Sequence, residues 1–275
     1  MWLILKTVLF LTIVLISGTL AGLVHGTVNF AIVEPYLDQA IGIENQNLFA
    51  SGEEEDTPEF WVEYEGYRVW QKSGQILAGV ILGVSVGSLF GMVFALSKNS
   101  LPGNHYVKKS LLLAGIMWAT LYLIPFLKYP ANPPTVGDAE TVVLRAILYL
   151  SFIAISGIGA VAFYKLSKRF ENNKKIISLV GYGIFISAVF FAMPENPDEI
   201  TAPMSLVNEF RLMSVLGVSS FWISVGIILG LFWNRFESHN ETIPYTWLFQ
   251  LSRMRMTTTR LNRSIIFQMF ACLEN

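Results

Sequence analysis

Few side chains in this sequence could bind a metal ion inside a protein: three histidines, one cysteine and the carboxylates. His25 lies in a long apolar run, nine residues before Glu34, or roughly 13 Å deeper along a helix. Asn29 follows one helical turn later, and both fall on the face that also carries Gly18 and Gly22. Imidazole binds first-row transition metals. We therefore predict His25 and Asn29 as metal or pathway residues; a structural hydrogen bond from His25 across helices is the equal alternative.

Carboxylates and amides also gather where the apolar runs end. Those selected as candidate metal or pathway residues are Glu34, Asn132, Asp138, Glu195, Asn196 and Glu209. An acidic surface of this kind would concentrate divalent cations by electrostatic steering. For the two asparagines, a bond to backbone within a proline-rich turn is the simpler role, and exposure to a water-filled vestibule is the alternative.

Several other functions are excluded by what the sequence lacks. The single cysteine, Cys272, rules out an intramolecular disulfide framework and a thiolate zinc cluster. No zinc-protease, nucleophile-elbow, Walker or dinucleotide motif occurs. The balance of 19 basic and 20 acidic residues gives no field that would attract nucleic acid. We predict no enzymatic activity and no tightly bound cofactor, so any transport must be driven by a gradient, the membrane potential or a partner.

The elements that must position these residues are membrane helices. The sequence is 53% hydrophobic and only 14% charged, with a mean hydropathy of +0.51, which predicts an integral membrane protein in contact with a lipid bilayer. Six apolar runs are near the ~20 residues that cross a bilayer: residues 7–33, 75–97, 110–127, 141–164, 176–193 and 211–233. We predict an all-α, polytopic bundle of six transmembrane helices over residues 1–236, followed by a basic cytoplasmic tail, residues 237–275, that is interfacial or disordered.

Basic residues predict the orientation of this bundle. Of the 19, 14 lie on one side, with both termini, and that side should be cytoplasmic. The acidic segment 34–73 is then an outer loop. One alternative is a cleaved signal peptide, since Lys6 precedes an apolar stretch with small residues near Ala21; the run to Val33 favours a span.

Glycine recurs every fourth residue at Gly79, Gly83, Gly87 and Gly91, and again at Gly18 and Gly22. Such spacing places glycines on one helix face, where a second helix can pack closely. We interpret these glycines as packing residues, with a mobile seam as the alternative.

Two helical hairpins look duplicated. Residues 126–133 and 190–197 both read Phe-x-x-x-Pro-x-Asn-Pro, 64 residues apart, and Arg145 and Arg211, which follow them, are 66 apart. A fainter echo is the Glu34-Pro35 pair before Arg68. Repeats of one orientation occur in transporters, where they indicate the substrate path. We expect acids near in sequence, such as Glu140 and Glu209, to neutralise the two arginines, as fixed salt bridges or as a gate.

Several segments resemble the CbtA family of predicted cobalt transporter subunits. The most specific is residues 125–138, Pro-Phe-Leu-Lys-Tyr-Pro-Ala-Asn-Pro-Pro-Thr-Val-Gly-Asp; residues 34–36 and 209–212 agree as well. The likeness covers roughly residues 5–235 and ends near Phe236. It implies a multi-pass protein of the cytoplasmic membrane that takes up cobalt for corrinoid synthesis, with a small, one-span, histidine-rich partner, CbtB.

The sequence thus predicts the membrane-embedded subunit of a divalent transition-metal uptake transporter, with Co²⁺ as the transported ion. The hypothetical route runs from the acidic mouth to His25 and then along the glycine seam. Two alternatives stay open: a non-transporting membrane scaffold, and a carrier of another small cation such as nickel.

Overall fold

The computed structural model describes residues 2–134, 136–170 and 175–241. Within these ranges every regular element is helical. The α-helices are α1 (Trp2–Val28), α2 (Glu34–Ser51), α3 (Pro58–Ser97), α4 (Tyr106–Trp118), α5 (Ile124–Lys128), α6 (Val142–Ser167), α7 (Lys175–Ala192) and α8 (Met204–Glu241). Two π-helical turns, Asn29–Val33 and Ala119–Leu123, and a 3-10 turn, Ala139–Thr141, complete the order.

Six of these helical segments are long and apolar enough to cross a membrane. They are Lys6–Ser51, Pro58–Ser97, Tyr106–Lys128, Val142–Ser167, Lys175–Ala192 and Met204–Arg235. Each contains one of the six runs selected from the sequence, apart from shifts of a few residues at their ends. The all-α, six-span prediction is confirmed.

The first long span is not a single regular helix, and neither is the third. In both, a five-residue π-helical turn ends two residues before a proline. The first turn, Asn29–Val33, precedes Glu34 and Pro35. The second, Ala119–Leu123, precedes Ile124 and Pro125. Proline has no N–H, and its ring clashes with the carbonyl four residues earlier. The preceding turn therefore takes in one extra residue, and its hydrogen bonds join residues five apart instead of four. The structural equivalent of Pro35 is thus Pro125, not the later prolines of the repeat.

The segment expected to be an acidic outer loop, residues 34–73, is mostly helical instead. Helix α2 and the first part of α3 form a hairpin whose connection covers only residues 52–57. Gly52 ends α2 with φ of 76°, in the left-handed region that favours glycine. The Thr57 hydroxyl accepts a hydrogen bond from the Phe60 N–H and caps α3, and Pro58 starts the helix. These local signals outweigh the high charge of the segment.

Helices α1 and α3 pack along the glycines. A Cβ atom built on Gly18 would lie 2.5 Å from the carbonyl oxygen of Gly83, and one on Gly87 would lie 2.6 Å from the Cα of Gly18. Gly22 meets Gly79 in the same way, and Gly91 faces the Val14 side chain. The two backbones are therefore in direct contact, which only glycine allows.

The later helices pack through small residues and aromatic rings. Helix α8 lies against α4, where a Cβ on Gly230 would be 2.5 Å from the Cα of Val107. Between α6 and α7, the buried Ser156 hydroxyl donates to the Thr120 carbonyl at 2.6 Å and lies 2.9 Å from the Tyr182 hydroxyl. Thr120 belongs to the second π-helical turn, so the widened turn presents a carbonyl that a neighbouring helix satisfies.

Residues 1–232 form one compact unit, and all contacts described below belong to it. One end of this unit carries residues 129–141 and 193–203, here called the turn end. The opposite end carries the connections 98–105 and 168–170 and is called the lysine end. Of the predicted basic tail, residues 237–275, residues 237–241 continue α8 and the remainder lies outside the described residues.

Candidate transport site at the turn end

His25 lies in the membrane-spanning part of α1 and joins it to α8. Its Nδ1 is 2.9 Å from the carbonyl oxygen of Gly217, and its Nε2 is 3.2 Å from the Nδ2 of Asn29. A carbonyl can only accept, so Nδ1 carries the proton and Nε2 accepts from the Asn29 amide. The edge of the ring also meets Phe221, with centroids 6.1 Å apart.

The neutral imidazole therefore has both nitrogens engaged. A Cβ at Gly217 would overlap the Oδ1 of Asn29, so a larger residue there would force the Asn29 amide to shift. A metal could reach Nε2 only if the Asn29 amide turned away. The structure thus places His25 and Asn29 together, as the sequence analysis expected, in a bonded arrangement between helices.

Glu34 is buried at the start of α2 and forms an ion pair with Arg68 of α3. Its second oxygen accepts a hydrogen bond from the Gln75 amide. Arg68 also binds Asp38 at 2.7 Å, and Lys72 binds the other oxygen of Asp38 at 2.7 Å. Both oxygens of Glu34 are occupied by protein groups. The carboxylate that we predicted as a metal ligand therefore joins α2 to α3.

At the turn end, the two repeated proline turns contact each other. The Tyr129 hydroxyl of the first turn donates to the carbonyl of Pro194 in the second, at 2.6 Å. The Lys128 ammonium lies 5.1 Å from the centroid of the Phe190 ring. Burial raises the pKa of the Tyr129 phenol further above neutral pH, where the hydroxyl is already protonated. The two copies of the motif are thus adjacent in space.

Each repeat supplies an arginine to the turn of the other. Arg145, after the first turn, forms an ion pair with Asp198 of the second, with 2.7 Å between Nε and Oδ2. Arg211, after the second turn, donates from Nη2 to Oδ1 of Asn132 in the first, also at 2.7 Å. The contact pattern is reciprocal, as expected for two copies related by an axis along the membrane normal.

The expectation that Glu140 and Glu209 neutralise these arginines is wrong. Both acids belong to residues exposed at the surface. Glu209 is two positions before Arg211 on one helix, and residues so spaced point to opposite sides. The partners come from the other repeat instead.

Asp198 was not among the selected site residues, yet the structure makes it the centre of this contact. Its side chain is 3% exposed, and its Oδ1 accepts from the Thr141 hydroxyl at 2.6 Å. Gly137, with φ of 110°, allows the approach, since a Cβ there would lie 2.5 Å from Asp198 and 2.6 Å from Arg145. The sequence signal was its position two residues after Asn196, whose Oδ1 accepts from the Asp198 N–H at 3.3 Å.

The remaining acidic candidates are not brought together. Asp138, Glu195 and Glu209 are exposed, and the Asp138 carboxylate accepts a local bond from the Glu140 N–H at 3.1 Å. Among the described residues, no three His, Cys, Asp or Glu side chains are close enough to hold a metal ion jointly. These acids contribute charge at the turn end, not a preformed coordination site.

Between the two turns lies a cavity of about 330 Å³, here called the turn cavity. It is lined by four aromatic rings and by polar groups from both repeats: Tyr122, Phe126, Tyr129 and Tyr149, with Asn132, Arg145 and Asn196. The two repeated asparagines thus face one space.

Six membrane-spanning helices with a duplicated hairpin define a multi-pass membrane protein. A family model described as "Probable cobalt transporter subunit (CbtA)" matches residues 8–234. The chain therefore belongs to the CbtA family, which confirms the resemblance seen in the sequence. No curated protein and no solved structure matches the chain. The family description calls its members subunits, which implies that they act with a partner.

Proposed function

We propose that this chain is the membrane-embedded, non-enzymatic subunit of an uptake transporter for divalent transition metal, with Co²⁺ as the transported substrate. The observation that carries the proposal is the family match over residues 8–234 of a chain with six membrane-spanning helices. The duplicated turns, with Asn132 and Asn196 at one cavity, support a substrate path at the turn end.

The exposed carboxylates Asp138, Glu195 and Glu209 would concentrate divalent cations at the turn end. The glycine seam, however, is closed in this structure, because the α1 and α3 backbones touch. Passage along that seam stays a prediction, and it would require the two helices to separate.

His25 offers the intramembrane step. If the Asn29 amide rotates, the Nε2 of His25 is freed while Nδ1 keeps its hydrogen bond to the Gly217 carbonyl. The freed imidazole nitrogen and the Asn29 Oδ1 form a nitrogen and oxygen donor pair that suits a first-row divalent ion. Loss of the imidazole would remove its only nitrogen donor.

We place the chain in the cytoplasmic membrane, with both termini inside and the turn end outside, following the distribution of basic residues. A small one-span, histidine-rich protein would be the partner that captures metal. No motif for nucleotide hydrolysis occurs in the sequence, so a gradient, the membrane potential or the partner would supply the energy.

The proposal is tested by ⁵⁷Co²⁺ accumulation in cells that lack their own cobalt uptake, with and without an adjacent small histidine-rich protein. We expect saturable uptake that His25→Ala reduces at least tenfold. His105→Ala, an exposed histidine at the lysine end, is the matched control and should retain uptake. Competition with unlabelled Ni²⁺ tests the choice of ion. Absence of uptake in every combination, with the protein correctly inserted, would refute the proposal.

A scaffold without transport is the second candidate, favoured by the satisfied hydrogen bonds of His25 and the closed glycine seam. It predicts that Gly83→Leu disrupts assembly with the partner, whereas His25→Ala leaves both assembly and metal content of the cells unchanged. Co-purification of the tagged partner with each variant separates the two candidates.

A further inference from the structure

The turn cavity has the wrong chemistry for a bare metal cation. No carboxylate, imidazole or thiolate is among the residues that line it. Its polar lining residues are Arg145, Asn132, Asn196 and three tyrosines, Tyr122, Tyr129 and Tyr149. The Oδ1 atoms of both amides already accept bonds, from Arg211 and from the Asp198 N–H, so each amide has only its N–H₂ group left for a ligand.

The charged side chains at the wall of the cavity, unlike the exposed acids outside it, are basic on balance. Asp198 neutralises Arg145. Arg211 binds Asn132 but has no carboxylate within ion-pair distance among the described residues, and its buried Nε has no hydrogen-bond partner. One guanidinium beside the cavity therefore lacks a counter-charge, and this favours an anion.

A third observation points to a ligand. Tyr122 lines the cavity, is 9% exposed, and its buried hydroxyl has no hydrogen-bond partner. A buried hydroxyl without a partner is unfavourable unless a bound molecule or water satisfies it. The rings of Phe126 and Tyr149 add apolar walls on either side.

From these three observations we propose that the turn cavity binds a small organic carboxylate and that, resting on the transport function proposed above, cobalt arrives there as a carboxylate chelate instead of the aquo ion. The volume of about 330 Å³ is at the small end of the range for cavities that bind organic ligands. The carboxylate accepts from Tyr122 and the amide donors, the rings cover the carbon skeleton, and Arg211, which binds the cavity-lining Asn132, adds positive charge behind the wall.

The test is isothermal titration calorimetry on the purified full chain, with citrate and cobalt citrate as the probes. Saturable binding that weakens with salt is expected. Tyr122→Phe keeps the ring and removes one donor to a charged acceptor, so it should weaken binding about tenfold. Arg211→Gln should do the same and reduce the salt dependence. Tyr64→Phe, outside the cavity, and Arg169→Gln, at the lysine end, are the matched controls.

Lipid phosphate offers the same chemistry as a carboxylate, so the protein is titrated in nanodiscs of phosphatidylcholine alone and with phosphatidylglycerol. Binding of citrate in both supports the proposal. Binding abolished by phosphatidylglycerol would overturn it in favour of a lipid headgroup site. Folding of each variant is checked by its thermal unfolding transition. If Arg211→Gln destabilises the protein, the binding result for Tyr122→Phe decides the test.

Failure of this proposal and failure of the transport function give different results. Uptake of ⁵⁷Co²⁺ that is unchanged by citrate, with no citrate binding to the purified chain, overturns the chelate and leaves transport standing. Citrate binding without any cobalt uptake, free or chelated, supports the carboxylate site and refutes cobalt transport. Faster uptake from cobalt citrate, lost in Tyr122→Phe, supports both.

Discussion

At the scale of single residues, Glu34 and Arg68 give the sharpest stability prediction. Both side chains are buried, 4% and 7% exposed. Arg68→Gln leaves a buried carboxylate without its counter-charge, which costs about 3 kcal/mol or more. The double variant Glu34→Gln, Arg68→Gln removes both charges and should recover most of that loss. The measurement is thermal unfolding in detergent.

Lys72→Gln is the control for that cycle, because the Lys72 and Asp38 side chains of its ion pair are 32% and 41% exposed, so the pair should contribute less than about 1 kcal/mol. If the double variant is as unstable as the sum of the two single ones, Glu34 and Arg68 do not act as a pair.

The same residues show what the sequence could and could not predict. The period of the first span placed His25 and Asn29 on one face. It could not predict the contact with Gly217, which is 192 positions away. The acceptor there is a backbone carbonyl, which every residue type has. Glu34 was selected as a metal ligand for its type and its position at the end of the first apolar run, and only the packing of α2 on α3 shows that Arg68 and Gln75 occupy its oxygens.

At the scale of helices, the glycine seam gives a prediction whose sign depends on position. A Cβ at Gly83 would lie 2.6 Å from the Cα of Gly22, so Gly83→Ala should destabilise the protein by about 1–3 kcal/mol. On the same helix, Gly74 has nothing within 4 Å, and Gly74→Ala should be neutral or stabilising by up to about 1 kcal/mol. Equal effects of the two changes on the melting temperature would contradict direct backbone contact.

The helical pattern predicted which runs cross the membrane but not the two π-helical turns. Apolar periodicity over residues 110–127 is compatible with a regular helix, and Pro125 alone predicts a kink or an end. Whether Pro125 produces a break or a widened turn depends also on tertiary partners, such as Ser156, which donates to the Thr120 carbonyl. The helical hairpin over residues 34–73 was predicted as a loop because of its acidic composition. The local capping signals at Gly52 and Thr57 were present in the sequence.

At the scale of the whole molecule, orientation is the open prediction. In a background with Cys272→Ser, we expect Glu55→Cys, in the α2–α3 connection, to react with a membrane-impermeant maleimide on intact cells. Asn104→Cys, at the lysine end, should react only after permeabilisation. Both positions are exposed, so access to the reagent is not limited by packing. The reverse labelling pattern would place both termini outside.

The reciprocal arginines also bear on how such a chain can arise. In a protein with one copy of the hairpin, the arginine could still donate to its own turn, as Arg145 does to the Asp138 carbonyl, but the contact to a second turn would form only against a second copy, as in a symmetric dimer. Joining two copies in one polypeptide sets their effective concentration by the linker instead of by expression level. The second half of this chain thus has the arrangement of a homodimer fused into one gene product, whose copies now differ, with Asp198 facing one arginine and Asn132 the other.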